Sequence, residues 1–281
     1  MGTLFVVATP IGNLEDISLR ALRVLREAGL VAAEDTRSTK HLLSRYDIHT
    51  PVTSYFEHNK LSKLEAILAA TREGDVALVS EAGMPGISDP GYELVRAALE
   101  RGIPVVPVPG PSAGLAALAV SGLPTDQYVY LGFLPRKGGE RRRSLAEVAN
   151  EPRTLVAYEA PHRLLSSLED ALAALGDRPM AAARELTKLH EEVARGSISE
   201  VLAHFRQTEP RGEFTLVFAG RAREEAASEP EVARARLAEL RAAGRSGRAA
   251  VDQVVGETGL PRRQVYRLWL ELERAQREYG R

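Results

Sequence analysis

DVALVSEAGMPGISDPGYELVRAALERG, residues 75–102, decides how this chain folds. An apolar run, DVALV, stops at Val79, and helical spacing resumes at Tyr92. Between them SEAGMPGISDPG (80–91) holds Gly83, Gly86 and Gly91 together with Pro85 and Pro90. The order is strand, loop, helix. Glycines admit positive φ and close backbone approach, while prolines fix φ and remove a donor. A plain connection of this kind needs only about 2–6 residues. So long and so rigid a loop is shaped around something rather than merely turning the chain.

The same unit recurs on both sides of it. LFVVAT (4–9), LVAAED (30–35), PVTSY (51–55) and IPVVPVPG (103–110) read as strands. ISLRALRVLREAG (17–29), TRSTKHLLSRY (36–46), NKLSKLEAILAATREG (59–74) and PSAGLAALAVSG (111–122) read as helices. Regular β–α alternation predicts an α/β fold with a mostly parallel sheet covered on both faces. Ligands then bind at the carboxyl ends of the strands, where all the unusual loops fall. After a linker at 123–129, strands QYVYLGF (127–133), TLVAYE (154–159), MAAARE (180–185), HEEVARG (190–196) and EFTLVFAG (213–220) alternate less regularly with helices. This second unit reads as α+β or mixed α/β. A charged connector, REEAASEPE (223–231), leads to a wholly helical pattern at 232–279. The expected domains are 1–122, 123–221 and 222–281.

Composition sets outer limits. Apolar residues make up 44% and charged residues 27% of 281, ordinary for a globular protein with a sizeable core. A net charge of −1 advertises no nucleic acid, so any such binding must come from local patches. With no cysteine there is no disulfide, thiolate metal site or cysteine nucleophile. The six histidines are scattered without paired spacing, so no metal site is expected. The first residues read as a buried strand rather than a signal peptide, and no apolar run approaches the ~18 residues of a membrane span. A cytoplasmic protein is expected.

Several stretches bear chemistry. ATPIGNLEDIS (8–18) is neither GxGxxG nor a P-loop, and its Glu15 and Asp16 at a helix start are explained as readily by capping. AEDTR (33–37) gathers Glu34, Asp35 and Arg37 at a strand end. Asp35 reads equally as a helix cap or as a general base. In PVPGPSA (107–113), Ser112 and backbone N–H groups at a helix start can hold a ligand. GFLPRKGGERRR (132–143) sets Arg136, Lys137, Arg141, Arg142 and Arg143 against Glu140 alone, a candidate phosphate surface or a solvated helix face. YEAPHR (158–163) carries Tyr158, Glu159, His162 and Arg163. ARELTKLHEE (183–192) carries Arg184, Glu185, Lys188, Glu191 and Glu192, which also read as surface pairs.

In this order, ATPIGNLEDIS, AEDTR, SEAGMPGISDPG, PVPGPSA, GFLPRK, YEAPHR, ARELTK and EFTLVFAG resemble the bacterial 16S ribosomal RNA cytidine-2′-O-methyltransferases of the tetrapyrrole-methylase superfamily. The resemblance runs through about residues 1–220. It implies two α/β domains with S-adenosylmethionine in the cleft between them, a homodimer, and 16S ribosomal RNA within the small subunit as partner. The long loop would then be part of the cofactor cradle. By motif, Pro10 would lie under the cofactor, and Gly83, Met84 and Ile87 would border its methionine and sulfonium part. Ser112 and Ala113 would contact it from the PGPSA turn, Tyr158 and Glu159 would approach from the second domain, and Leu186 and Thr215 from later strands. Glu34, Asp35, Glu159 and Lys188 are the candidate bases. Arg37, Arg136, Lys137, Arg141, Arg142 and Arg163 are candidate RNA contacts. Two departures stand out. Gly83–Met84–Pro85 replaces the GDP usual in relatives acting on tetrapyrroles or diphthine, and Ala160 stands where serine or threonine is common. The first removes an acid from the sulfonium site and favours the ribosomal branch. A small-molecule methyltransferase of the superfamily is the rival enzyme.

GRAAVDQVVGETGLPRRQVYRLWLELE (247–273) reads as a helix, a Gly256–Gly259 turn and a second helix opened by Pro261, a helix-turn-helix-like pattern. From Arg234 to Arg267 there are eight arginines and three acids. Arg262 and Arg263 are the candidate RNA contacts there, while Val254, Val255, Leu260, Val265, Leu268 and Trp269 would form a small core. Outside enzymes, a nucleic-acid-binding regulator built on this helix pair is the other reading.

Overall fold

The structure, a computed structural model, describes residues 2–221 and 229–279. Most of the connector expected at 223–231 lies outside them. The chain divides into two compact units, Met1–Arg221 and Ala222–Arg281.

The first unit opens with β1 (Leu4–Val7), α1 (Leu19–Glu27), β2 (Leu30–Ala33), α2 (Thr36–Arg45), β3 (Val52–Ser54), α3 (Lys60–Ala70), β4 (Val76–Val79), α4 (Tyr92–Glu100), β5 (Val105–Val108) and α5 (Ala113–Val120). The five strands pair in the order β3-β2-β4-β1-β5, every pair parallel. Alternation along each strand splits the side chains between two cores. Val31, Ala33, Ala77 and Val79 pack with α1 and α2 residues such as Leu25 and Leu42. Ala32, Val76 and Leu78 pack with Ile67, Leu68 and Leu94 of α3 and α4. A sheet covered on both faces is what the near-continuous apolar strands required.

The strand expected over 4–9 stops early. Ala8 still donates to the Val108 carbonyl at 3.1 Å, after which the chain leaves the parallel sheet and Thr9 pairs antiparallel with Gly83, N–H to O=C in both directions at 2.9 and 3.0 Å. The first helix begins later than the expected 17, because Ser18 caps it by accepting from the Ala21 N–H.

The second half runs β6 (Tyr128–Phe133), α6 (Gly138–Glu147), β7 (Thr154–Glu159), α7 (Leu164–Leu175), β8 (Pro179–Arg184), β9 (Glu192–Ser197), α8 (Ile198–Gln207) and β10 (Phe214–Phe218). Its sheet is mixed, in the order β6-β7-β10-β8-β9, with only β6 and β7 parallel. One face buries Leu155, Ala157, Leu216 and Phe218 under α7 and α8. The other buries Val156, Ala181, Ala183 and Val217 against Ala117 and Leu118 of α5. By sequence α5 closes the first half, yet its core residues pack on the second sheet. That helix makes one body of the two halves.

The second unit holds α9 (Glu229–Ala242), α10 (Gly247–Thr258) and α11 (Arg262–Tyr279) around Leu237, Val251, Val254, Val265, Leu268 and Trp269. The turn expected over Gly256–Gly259 is shorter. Gly256 is still helical, and Gly259 alone, at φ 69°, ends α10 in the left-handed region that favours glycine. Among the described residues no helix is long and apolar enough to cross a membrane.

Candidate active site

Three loops at the carboxyl ends of β1, β4 and β5 converge on Gly83. A Cβ built there would lie 3.7 Å from Ile11 Cγ2 and 3.8 Å from the Pro111 carbonyl oxygen. Gly83 itself has φ 83°, so the convergence needs a residue that tolerates positive φ. Pro10, Gly83, Met84, Ile87, Ser112 and Ala113 all belong to these loops or to the helix start beside them. Ile87 is half exposed and Met84 partly so. Ser112 precedes α5 without spending its hydroxyl on a capping bond.

The opposite wall comes from the second sheet. Tyr158 of β7 is paired in register with Thr215 of β10, which faces Ala183 of β8. Strand alternation puts Tyr158 and Thr215 on the face that α5 covers, where Leu186 also packs. A chain of contacts ties the walls together. Ser88 Oγ and Tyr130 Oη share a 2.6 Å hydrogen bond, the rings of Tyr130 and Tyr158 meet edge-on at 5.5 Å, and Tyr158 Oη accepts from the Gly114 N–H at 3.1 Å. The loop at 80–91 therefore reaches across to the second sheet, which explains its length. On the other side Gly12 lies so close to the 186–188 segment that a Cβ would stand 2.4 Å from Lys188 Cγ and 3.0 Å from the Leu186 carbonyl oxygen. Thr187 holds φ 67°, uncommon for a β-branched residue.

Acidic groups collect behind the loop. Glu34 Oε2 accepts from the Glu81 N–H at 3.2 Å. Burial, and then the neighbouring charges of Asp35 and Glu34, push the Glu81 carboxyl up. Asp89 is raised further, to about 7, by burial and by Glu34, against a lowering hydrogen bond with Ser80. A carboxyl titrating at that pH is matched to proton transfer under physiological conditions.

The structure sorts the other candidate bases. Asp35 caps α2, accepting from the N–H groups of Arg37 at 2.6 Å and Ser38 at 3.2 Å, and those bonds hold its carboxyl below the usual range. Lys188 bonds Glu185 and Glu213, both at 2.8 Å. Burial pulls its ammonium down, but the two ion pairs outweigh this and keep it protonated above the usual value. Glu159 is a correction. One residue after Tyr158, it points to the opposite face, 2% exposed, where it accepts from Ser167 Oγ, from the Ala160 N–H at 2.7 Å and from Arg163 at 2.6 Å. A carboxylate so enclosed cannot reach a substrate hydroxyl.

The candidate RNA contacts divide as well. Arg141 is a second correction: 5% exposed, it is locked to Asp170 at 2.6 Å and serves the packing of α6 on α7. It lies one turn before the buried Leu145 on the inward face of α6, a helical position that a run of charges does not reveal. Arg142 is exposed and reaches the same Asp170 at 3.4 Å. Lys137 pairs loosely with Glu140, whereas Arg37 and Arg136 are exposed with no hydrogen bond or ion pair from the side chain to a described residue. Arg163 is held between Glu159 and the Leu134 carbonyl. In the second unit Arg262 pairs with Asp252, and Arg263 is exposed. Sequence reasoning missed Ser88, Asp89 and Tyr130. Asp89 had a signal, an acid inside the loop already singled out.

Two cavities flank the cleft. One of about 140 Å³ is lined by Thr9, Pro10, Ser38, Thr39, His41, Ser80 and Glu81 among others. The larger, about 500 Å³, opens at the ends of β6 and β7. Among the described residues no cluster of carboxylates and imidazoles is arranged to hold a metal.

The family model described as Tetrapyrrole (Corrin/Porphyrin) Methylases matches residues 3–202. A Synechocystis protein named Ribosomal RNA small subunit methyltransferase I is 49% identical over 276 residues, covering 97% of this chain and 99% of its own. A Thermotoga maritima protein of the same name is 51% identical over 222 residues, 79% of this chain and all of that one. Among solved structures, the methyltransferase CobJ aligns with a TM-score of 0.60 at 17% identity, over 79% of this chain and 95% of its own. A Thermus thermophilus uroporphyrin-III C-methyl transferase complexed with S-adenyl homocysteine aligns at 0.55 and 23%, over 78% and 97%. At those identities the structural likeness speaks to the fold.

Proposed function

The chain belongs to the tetrapyrrole (corrin/porphyrin) methylase family and is an S-adenosylmethionine-dependent methyltransferase, and from that premise we propose that its acceptor is the ribose 2′-hydroxyl of a decoding-site cytidine in 16S ribosomal RNA. The observation that carries this reading is near-full-length similarity, 49% over 97% of the chain, to a relative named for ribosomal RNA methylation. The cytoplasm, where small subunits are assembled, is the expected setting, and a homodimer the expected form.

The residues present fit the cofactor. The three loops that converge on Gly83 would line the cofactor, and the Ser112 hydroxyl, not spent on a cap, would offer a polar contact. Pro10, Met84, Ile87 and Ala113 would hold it from the first sheet, and Tyr158, Leu186 and Thr215 from the second. When bound, S-adenosylmethionine supplies the electrophilic methyl carbon. Met84 would present an apolar thioether rather than an acid to the sulfonium, and so would not stabilise that charge before transfer. Alignment of hydroxyl, carbon and sulfur is the main service such a rigid loop renders.

The hydroxyl must lose its proton as its oxygen takes the methyl. With Asp35 spent on a cap, Glu159 sealed away and Lys188 held protonated, the Glu34–Glu81–Asp89 group is left as the acceptor, Asp89 being the member tuned near neutrality. Arg37 and Arg136 serve the RNA backbone, with Lys137 and Arg142 as further contacts of the same unit and Arg263 as a contact of the helical unit.

The test uses small subunits from a strain lacking the modification, purified protein and isotopically labelled S-adenosylmethionine, with mass spectrometry of RNA fragments. Label on one ribose at the decoding site is the expected result. Cofactor binding without transfer to subunits, together with transfer to a tetrapyrrole, would overturn the reading.

A further inference from the structure

The cavity of about 500 Å³ at the ends of β6 and β7 is lined by Phe133, Leu134, Arg136, Ala160, His162 and Arg163. Methyl transfer in the cofactor cleft does not itself require it. We propose that it is a nucleobase pocket, which takes the base of an unpaired nucleotide of the RNA substrate against the Phe133 ring with the adjoining phosphate on Arg136. The inference rests on the RNA-methylation reading and deepens it.

Four observations carry it. Phe133 ends β6 with 56% of its surface exposed, an arrangement the core does not need. Its ring is braced edge-on by Tyr158 at 5.4 Å, which fixes the ring while leaving a face open to a flat partner. Every base has a π face, and aromatic platforms of this kind are how proteins hold unstacked nucleotides. The cation content then favours an anion-bearing ligand. The side chains of Arg136 and His162 are both exposed and make no hydrogen bond or ion pair with a described residue. Arg163 is different: its bonds to Glu159 at 2.6 Å and to the Leu134 carbonyl at 2.9 Å immobilise it as wall rather than as a mobile ligand.

The third observation is rigidity. Arg163 staples the segment after β7 to the segment after β6, so the pocket is preformed rather than assembled on binding. The fourth is position. Tyr158, which braces Phe133, also accepts from the Gly114 N–H beside Ala113, so one side chain separates the pocket from the cofactor cleft. A nucleotide seated here holds its chain within one residue's reach of the reacting atoms. That is where an enzyme acting on a ribose in a structured RNA gains by fixing a flanking or flipped base.

The experiment uses full-length Phe133→Trp, Phe133→Ala and Arg136→Ala proteins with a short single-stranded oligoribonucleotide of the decoding-site sequence and with unmodified small subunits. The chain has one tryptophan, so the difference spectrum between Phe133→Trp and wild type isolates the introduced indole. Quenching of that indole by the oligoribonucleotide is expected, with affinity within a few-fold of wild type. Phe133→Ala should bind RNA roughly tenfold to a hundredfold more weakly, the span of one lost base stack. It should keep wild-type S-adenosylmethionine affinity. Arg136→Ala should lower the slope of log affinity against log salt by about one. An introduced indole that stays unquenched, or an unchanged KM for subunits in Phe133→Ala, overturns the pocket while leaving RNA methylation standing. If Phe133→Ala does not fold, the quenching result decides alone. Wild-type protein that methylates no RNA sinks the underlying reading instead, and a carboxylated tetrapyrrole that quenches the introduced indole reassigns the pocket.

Discussion

Near neutral pH Asp89 sits at the midpoint of its titration, because burial and the Glu34 charge oppose its ionised form. In the unfolded chain an aspartate titrates near ~3.9. Between those values the folded protein holds a proton that the unfolded one has released, so folding stability falls as pH rises from about 4 to about 7 and then levels. Asp89→Asn removes that dependence. Its midpoint of thermal unfolding should exceed wild type at about pH 8 and approach it at about pH 5, as calorimetry at the two pH values would tell; a gap independent of pH would mean an ordinary carboxyl. The same variant should lose about 10²-fold in turnover with cofactor affinity intact, as expected for a proton acceptor. Glu159→Ala separates structure from chemistry. It leaves Arg163 charged and largely enclosed, and breaking such a pair costs about 3–5 kcal/mol. Chemical denaturation should report that loss, while activity per folded molecule well below the unfolding temperature stays within a few-fold of wild type. A hundredfold drop there would restore Glu159 as a base.

Among the elements, the three C-terminal helices carry the least obvious task. Arg234 pairs with Glu271, Arg236 with Glu239 and Glu257, and Arg262 with Asp252, while Arg241 lies over the Trp269 ring at 5.7 Å. Arg245, Arg248, Arg263 and Arg267 are exposed and carry no ion pair with a described residue. The positive excess of the Arg234–Arg267 stretch thus resolves into four guanidinium groups without an ion pair to a described residue. If they meet RNA phosphates, Arg263→Ala combined with Arg267→Ala should lower the salt slope of RNA binding by about two, with no change in cofactor affinity. The α/β unit has its own cores, and the Thermotoga relative is matched over its whole length by 222 residues, about the length of that unit. A chain ending at residue 221 should therefore fold and bind S-adenosylmethionine by titration calorimetry, with RNA affinity reduced. Failure of that fragment to fold would make the helices part of the core structure.

For the whole molecule, the exposed side of α5 bears on assembly. The α5 sequence, AGLAALAV, is apolar on every side, a pattern that belongs to a buried helix. Ala117 and Leu118 are indeed buried on the second sheet, but Leu115 is 53% and Val120 44% exposed. A second copy covering that surface would account for the composition. Sedimentation should then give about twice the 30.6 kDa chain mass, and Leu115→Glu should shift the balance toward monomer. Monomeric wild type at micromolar concentration would leave the exposed leucine without that explanation.

The α/β class, the parallel first sheet and the loops at its strand ends were all legible in the chain. Such patterns are local: strand alternation, helix period and turn residues are fixed by the steric limits of the backbone. The eight ordered segments likewise grouped Pro10, Gly83, Met84 and Ser112 as one set. Facing and pairing were not legible. Glu159 and Tyr158 are neighbours in sequence, and only the side of β7 that α5 covers decides that one meets the cleft and the other a buried arginine. Arg141 and Arg136 look alike in a basic run, and the partner Asp170, 29 residues away, removes the first from the surface. Asp89 is an ordinary loop aspartate until Glu34 is folded beside it. Sequence determined which elements form and which loops are special, because those follow from neighbours along the chain. Tertiary structure alone decided which charges are free, which are spent and which titrate near neutrality, because charge and burial act through space between residues the chain keeps far apart.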